Sequence, residues 1–186
     1  MGGFGSGSQH HWWRPGKKTT VEECLTLDVN RWRREGRLRA GVRLLGSWRW
    51  TYRDGSDFTV HYDVDTRVSD KLAVHLWYSW VWTATQEPES ADYHVRLTTT
   101  VPRFGGVRWW FICPLAIDGR PCGRRVGKLH LPPRGRYFGC RHCHHLTYTS
   151  CQESHLYDGA FRMLAGSMGT DLATVKRLMK QLGKRR

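Results

Sequence analysis

Four of the six cysteines fall in one short stretch, with the spacing Cys113-x8-Cys122-x17-Cys140-x2-Cys143. Thiolates are preferred zinc ligands, and zinc ribbons join two thiolate pairs, most often as C-x2-C-x15–20-C-x2-C. The 17-residue spacer fits that form. We therefore predict one structural Zn2+ ion bound by Cys113, Cys122, Cys140 and Cys143.

The first cysteine pair departs from the usual ribbon, because eight residues separate Cys113 from Cys122. A hairpin turning at Asp118-Gly119 would still bring the two thiols together. The competing ligands are three nearby histidines: His142, His144 and His145. The other two cysteines, Cys24 and Cys151, are left outside the site, and Cys24 is expected to be buried on the apolar face of a helix.

The residue pattern of the 17-residue spacer predicts a β-hairpin. The first strand is expected to contain Val126, Leu129 and Leu131. Residues 132–135 should form the turn, and Tyr137 and Phe138 the return strand. Small residues beside the thiols, such as Gly123 and Gly139, let backbone amides turn toward them.

The same cysteines allow other chemistry. Cys140 to His144 spells C-x-x-C-H, the c-type haem attachment signal, but that reading needs export and leaves Cys113 and Cys122 unexplained. A thioredoxin-like pair needs a βαβ context that the pattern lacks, and disulfides are disfavoured because the N-terminus does not read as an export signal. An HNH nuclease needs an asparagine near the metal, whereas the chain has only Asn30.

The net charge of +14 is distributed unevenly. Residues 101–186 contain 16 basic and 4 acidic side chains, whereas residues 47–100 contain 5 basic and 8 acidic ones. A segregated basic region is typical of polyanion binding, so we predict nucleic acid as the partner, DNA rather than RNA. The side chains expected to contact it lie on or beside the ribbon: Arg124, Arg125, Lys128, Arg134, Arg136 and Arg141.

Residues 19–112 should form a helix followed by an antiparallel sheet. A T-x-x-E capping box at Thr20 and Glu23 predicts a helix that ends at Gly36, with Leu38 completing a Schellman cap. Period-2 alternation over residues 47–112 predicts five antiparallel strands with a turn at Asp54-Gly55, and their aromatic residues are expected to form the core.

The complete chain is predicted to be an α+β protein in four parts. These are a flexible basic arm (1–18), the helix-and-sheet domain (19–112), the zinc ribbon (113–150) and a basic helical tail (151–186). The arm interleaves aromatic and basic residues that could stack on bases. The tail should hold two short helices over residues 153–183, separated at Gly166–Gly169. No stretch is apolar enough for a membrane span.

Catalytic patterns are few. Asp54, Asp57, Asp63 and Asp65 flank one predicted hairpin and could bind Mg2+ for a metal-dependent nuclease reaction. Solvated surface carboxylates are the simpler interpretation, so a non-enzymatic protein is expected. A zinc-ribbon module that binds another protein is the third alternative.

Four segments together carry a resemblance: residues 1–7, 18–31, 122–129 and 135–143. On these segments the chain resembles a widespread family of uncharacterised bacterial proteins. The resemblance implies a bacterial, cytoplasmic setting and a two-knuckle metal site. It implies no activity and no catalytic residue.

Overall fold

A computed structural model of the chain describes residues 18–52, 54–81, 86–153 and 158–183. The predicted arm therefore lies outside the described residues, apart from its last residue, Lys18. Among the described helices, none is both long and apolar enough to cross a membrane.

Most elements of the described chain are strands, with one helix after the first strand and three helices after the last strand. The strands are β1 (Leu25–Asp28), β2 (Arg43–Thr51), β3 (Asp57–Asp65), β4 (Ala73–Val81), β5 (Pro88–Thr100), β6 (Arg108–Ile112), β7 (Ala116–Ile117), β8 (Arg120–Pro121), β9 (Arg125–Val126) and β10 (Lys128–Leu131). The helices are α1 (Val29–Arg34), α2 (Thr149–Glu153), α3 (Asp158–Ser167) and α4 (Leu172–Gly183). The fold is therefore α+β, with sheet as its main component.

Six strands form one curled antiparallel sheet in the order β2-β3-β4-β5-β6-β9. The five strands predicted between residues 47 and 112 are confirmed, as is the turn at Asp54-Gly55. In that turn Gly55 has a φ of +82°, and the Tyr52 amide donates to the Ser56 carbonyl at 2.8 Å. Glycine suits this position because L-side chains rarely adopt positive φ.

One face of the sheet is buried, and α1 packs against it. Trp32 is fully buried, with its ring centroid 4.9 Å from Tyr62, 5.8 Å from Phe111 and 6.2 Å from Trp48. Pairs of aromatic rings at these separations add to the stability that burial of apolar area provides. The prediction that most aromatic residues of this region form the core is thus confirmed.

The predicted helix from Thr20 to Gly36 is wrong in its first half. The capping contact at Thr20 is present, since its amide donates to Glu23 at 2.9 Å, but it closes only a 3-10 turn at Val21–Glu23. The chain then extends as β1, and α1 begins after Asp28, whose carboxylate accepts from the amides of residues 30 and 31. Pairing of β1 with β10 outweighs the local helix signal.

The predicted end of that helix is confirmed. Gly36 has a φ of +73°, its amide donates to the Arg33 carbonyl, and the Arg37 amide donates to the Trp32 carbonyl at 2.8 Å. These two bonds define a Schellman motif. Leu38, which follows it, is buried in the same core as Trp32.

Strand pairing crosses the predicted domain boundary between residues 112 and 113. The register places Leu25 opposite Leu131 and Leu27 opposite Leu129. Phe138 is also fully buried, with its ring 6.1 Å from Trp50. Residues on both sides of the boundary therefore contribute to one apolar core.

Two helices occupy the region where the tail helices were predicted. The interval between α3 and α4 contains Gly169 at a φ of +58°. Asp171 caps α4, because its carboxylate accepts from the Thr174 amide at 2.8 Å and from the Thr174 hydroxyl at 2.9 Å. A capping carboxylate also interacts favourably with the positive end of the helix dipole.

Candidate metal centre

The four cysteines of the predicted site converge. All four Sγ atoms lie within 4.8 Å of one another. The separations are 3.8 Å for Cys113–Cys143, 3.9 Å for Cys122–Cys140 and 3.5 Å for Cys140–Cys143. Sulfur atoms about 2.3 Å from a central ion would form a tetrahedron with edges of about 3.8 Å. The cluster can therefore hold a metal ion, and an all-sulfur tetrahedron suits zinc or iron.

A short hairpin supplies the first thiol pair. Cys113 follows β6 directly, and the pair β7–β8 turns back through Asp118 (φ 50°) and Gly119 (φ 74°) before Cys122. Two consecutive positive φ values are typical of the type I′ turn, which Asp-Gly favours. The predicted turn at Asp118-Gly119 is thus confirmed, and the Cys122 amide donates to the Leu115 carbonyl at 2.8 Å.

The second thiol pair lies in a turn that points backbone amides at sulfur. The Cys143 amide donates to the Cys140 sulfur at 3.4 Å, and the Cys140 amide donates to the Cys113 sulfur at 3.3 Å. Hydrogen bonds of this kind stabilise the thiolate form that metals bind.

The spacer does not form the predicted two-stranded hairpin. Instead, β9 pairs with β6 and β10 pairs with β1, so that Leu129 and Leu131 are buried by β1. Only His130 and Gly139 bridge the two arms of the spacer, through backbone bonds of 2.7 and 3.0 Å. The turn at residues 132–135 is present, since the Gly135 amide donates to the Pro132 carbonyl. Long-range pairing of the leucines displaces the local hairpin.

The competing histidines lie outside the cluster. Within the described residues, the only group of three or more potential ligands at metal-binding spacing consists of the four cysteines. The His144 Nε2 atom instead lies 3.2 Å from the Tyr137 carbonyl. Cys24 also differs from its prediction, because it is half-buried at the end of the 3-10 turn rather than on a helix.

Burial makes two of the site thiols weaker acids. It raises the pKa of Cys113 to about 11, and it also raises the pKa of Cys143, where neighbouring thiols add to the effect. These thiols are therefore protonated at neutral pH when no metal is bound. Since metals bind thiolates, loading the site must release protons.

The six predicted nucleic-acid contacts do not share one environment. Arg124, Arg125 and Arg134 are exposed, and Arg124 lines an open cleft of about 550 Å³ beside Cys122. The other three have partners: Lys128 lies 3.6 Å from Asp28, Arg136 lies 3.0 Å from Glu89, and the Arg141 guanidinium lies 5.3 Å from the centroid of the Tyr148 ring.

The four aspartates of the nuclease alternative are not brought together. Asp57 and Asp65 stand at opposite ends of β3, eight residues apart, which corresponds to about 27 Å of strand. Asp63 and Asp65 bind the guanidinium groups of Arg43 and Arg67. Asp54 accepts hydrogen bonds within its own turn. Local polar contacts occupy these carboxylates.

Of the tryptophans that the structure describes, two fall outside the predicted aromatic core. Trp77 and Trp110 point to the outer face of the sheet, whereas their neighbours Tyr78 and Trp109 are buried. Strand parity carries this signal, because residues of opposite parity lie on opposite faces. In a run such as Trp109-Trp110, both residues cannot face the core.

Comparison of this chain with protein-family models, curated proteins and solved structures found no match.

Proposed function

We propose that this protein binds a structural zinc ion and uses its basic surface to bind nucleic acid, DNA in preference to RNA, without catalysing a reaction. The observation that carries the proposal is the convergence of four thiols at the edge lengths of a tetrahedral site. Four protein ligands leave no open position for a reacting water molecule, which distinguishes structural zinc from catalytic zinc. A reducing cytoplasm would keep these thiols available.

The zinc ion is tested by elemental analysis of protein purified without chelator, where about one zinc per chain is expected. Cys113→Ser and Cys140→Ser should each lose the metal. Cys151→Ser is the matched control, because Cys151 is exposed and outside the cluster. Metal-free wild-type protein, iron in place of zinc, or full zinc retention in both variants would contradict the assignment.

Charge supports the nucleic-acid partner. Residues 101–186 have a net charge of +12, which includes the exposed Arg124 and Arg125 next to the metal centre. Among the described residues these two arginines have no acidic side chain within ion-pair distance. Cationic groups without protein partners are available to replace the counterions of a phosphate backbone.

A salt titration of binding tests this role. The double variant Arg124→Ala with Arg125→Ala should weaken binding and reduce the slope of log K against log salt by up to about 2, if both side chains contact phosphate. The control removes two exposed charges of α1, Arg33→Ala with Arg34→Ala, and should leave the slope closer to that of the wild type. Absence of binding to DNA and RNA at low salt would instead favour a protein-interaction module.

A further inference from the structure

The outer face of the sheet carries a row of stacked rings. The register places His61 opposite Trp77 and His75 opposite His94. Ring centroids are 5.6 Å apart for His61–Trp77, 5.0 Å for Trp77–His75 and 4.4 Å for His75–His94, with interplanar angles of 17°, 32° and 11°. Four rings from three strands thus form a row on the solvent side of the sheet, with two stacked pairs, His61–Trp77 and His75–His94, joined by a tilted contact between Trp77 and His75.

Basic side chains continue this face toward the metal centre. Along β5, Arg96 follows His94 on the same side, and Thr98 lies opposite Trp110 on β6. The Arg108 guanidinium lies 4.1 Å from the Trp110 ring centroid, and the Trp110 indole donates to Thr100 at 2.9 Å. We call the set Trp77, His94, Arg96, Arg108, Trp110 and Arg125 the outer strip.

The last member of the outer strip joins it to the predicted binding residues. Arg125 on β9 is the register partner of Ile112, and Ile112 has the same strand parity as Trp110. The strip therefore runs from the ring stack across β5 and β6 to the ribbon side of the molecule. From His94 to Thr100, the register partner of Arg108, the strip covers about 20 Å of β5.

Protein contacts do not account for the charge of the outer strip. In the described part of the chain, Arg96, Arg108 and Arg125 form no ion pair with a carboxylate. Three acidic residues of the same face have arginine partners outside the strip: Asp63 binds Arg43, Asp65 binds Arg67, and Asp57 lies 3.7 Å from Arg49. The fourth, Asp92, is the register partner of Trp77 and lies 2.6 Å from His75 in the ring row. The unpaired charge of the strip is therefore positive.

We propose that the outer strip binds single-stranded nucleic acid, with bases stacked on Trp77 and Trp110 and phosphates beside Arg96, Arg108 and Arg125. The proposal rests on the nucleic-acid function proposed above and adds its surface and substrate class. Unpaired bases can stack on aromatic rings, and arginines track the backbone between them. A duplex keeps its bases stacked on one another, so these rings would contact it much less.

The proposal is tested by fluorescence anisotropy. The labelled probes are single strands of about 15 nucleotides, as DNA and as RNA, and a duplex of the same length. Single strands should bind more tightly than the duplex. Trp77→Thr and Trp110→Thr should each weaken single-strand binding roughly 5- to 150-fold, and duplex binding less than twofold. Threonine suits an outward strand position, so folding should persist.

Two controls separate stacking from a general loss of structure. Trp110→Phe keeps an aromatic ring and should retain most of the single-strand affinity. Tyr52→Ala removes another exposed ring, beyond the end of β2 and away from the outer strip, and should leave binding unchanged. Zinc content and melting temperature of each variant check that the fold is intact.

The results distinguish this inference from the underlying function. If Trp77→Thr and Trp110→Thr bind single strands as tightly as the wild type, while the Arg124/Arg125 double variant loses affinity, the outer strip is not the site and the proposed function stands. Stronger binding to the duplex than to single strands would also overturn the strip. If the wild type binds no nucleic acid at roughly 50 mM salt, the outer strip and the nucleic-acid part of the proposed function both fail.

Discussion

His130, a buried side chain near the candidate metal centre, predicts that the stability of this region depends on pH. It is only 6% exposed on β10, and its Nδ1 atom lies 3.0 Å from the Thr26 hydroxyl on the paired strand. Burial, aided by electrostatic repulsion from Lys128, from His144 when it is protonated, and from Arg141, lowers the pKa of His130 to about 4. The native state thus holds this imidazole neutral under conditions where an exposed histidine would take up a proton.

The lowered pKa of His130 predicts a loss of stability in mild acid. Between its unfolded pKa of about 6.5 and its native pKa of about 4, only the unfolded chain binds the proton, so stability falls as the pH falls through this window. Between about pH 7.5 and pH 5, this proton uptake should lower the free energy of unfolding by about 2 kcal/mol. His130→Gln should remove it. Urea titrations of the wild type and of His130→Gln at the two pH values measure this difference. Equal losses of unfolding free energy in the two proteins would contradict the role of His130.

At the scale of elements, the sequence predicts best where a signal is local or repeats along a strand. One-sided burial imposes period-2 alternation on β2 to β6, and Asp118-Gly119 specifies its own turn. The errors have another origin. Leu25 and Leu131 pair across 106 residues, and this contact converts a helix-like segment into β1 and an expected ribbon strand into β10. Nothing local encodes such a partner.

The Asp118-Gly119 turn brings Cys113 and Cys122 together, so its backbone geometry should affect the affinity of the site for metal. Gly119→Ala adds a methyl group into open space but at a φ of +74°, which should cost roughly 1 kcal/mol and weaken metal binding about fivefold. Gly166→Ala is the matched control, because the added group also meets open space but lies in a helix, where alanine is favoured. Competition against a chromophoric chelator measures both variants, and equal affinities would exclude a role for turn strain.

At the scale of the whole molecule, the candidate metal centre and the sheet are packed as one structure. Cys113 follows β6, the strand of the large sheet that contacts α1, and β10, between Cys122 and Cys140, pairs with β1. Phe138, two residues before Cys140, lies among Trp50 and Tyr78 in the main core. Tyr78 also donates to the Arg136 carbonyl at 2.8 Å. The two turns that contain the four cysteines therefore do not form an independent module on a linker.

This connectivity predicts that metal removal destabilises the complete fold and not these two turns alone. A structural ion that binds only the native state adds its binding free energy to the stability of everything that unfolds with the site. Chelation, or Cys140→Ser, should therefore lower a single melting transition followed both by far-ultraviolet circular dichroism and by tryptophan fluorescence, which reports chiefly on the sheet. Phe138→Ala leaves all four thiols in place. It should lower the free energy of unfolding in the same transition by roughly 3–5 kcal/mol, because it opens a cavity in the shared core. Two separate transitions after chelation, with the tryptophan signal unmoved, would show that the sheet folds independently of the metal, and the pairing of β1 with β10 would then contribute little to its stability.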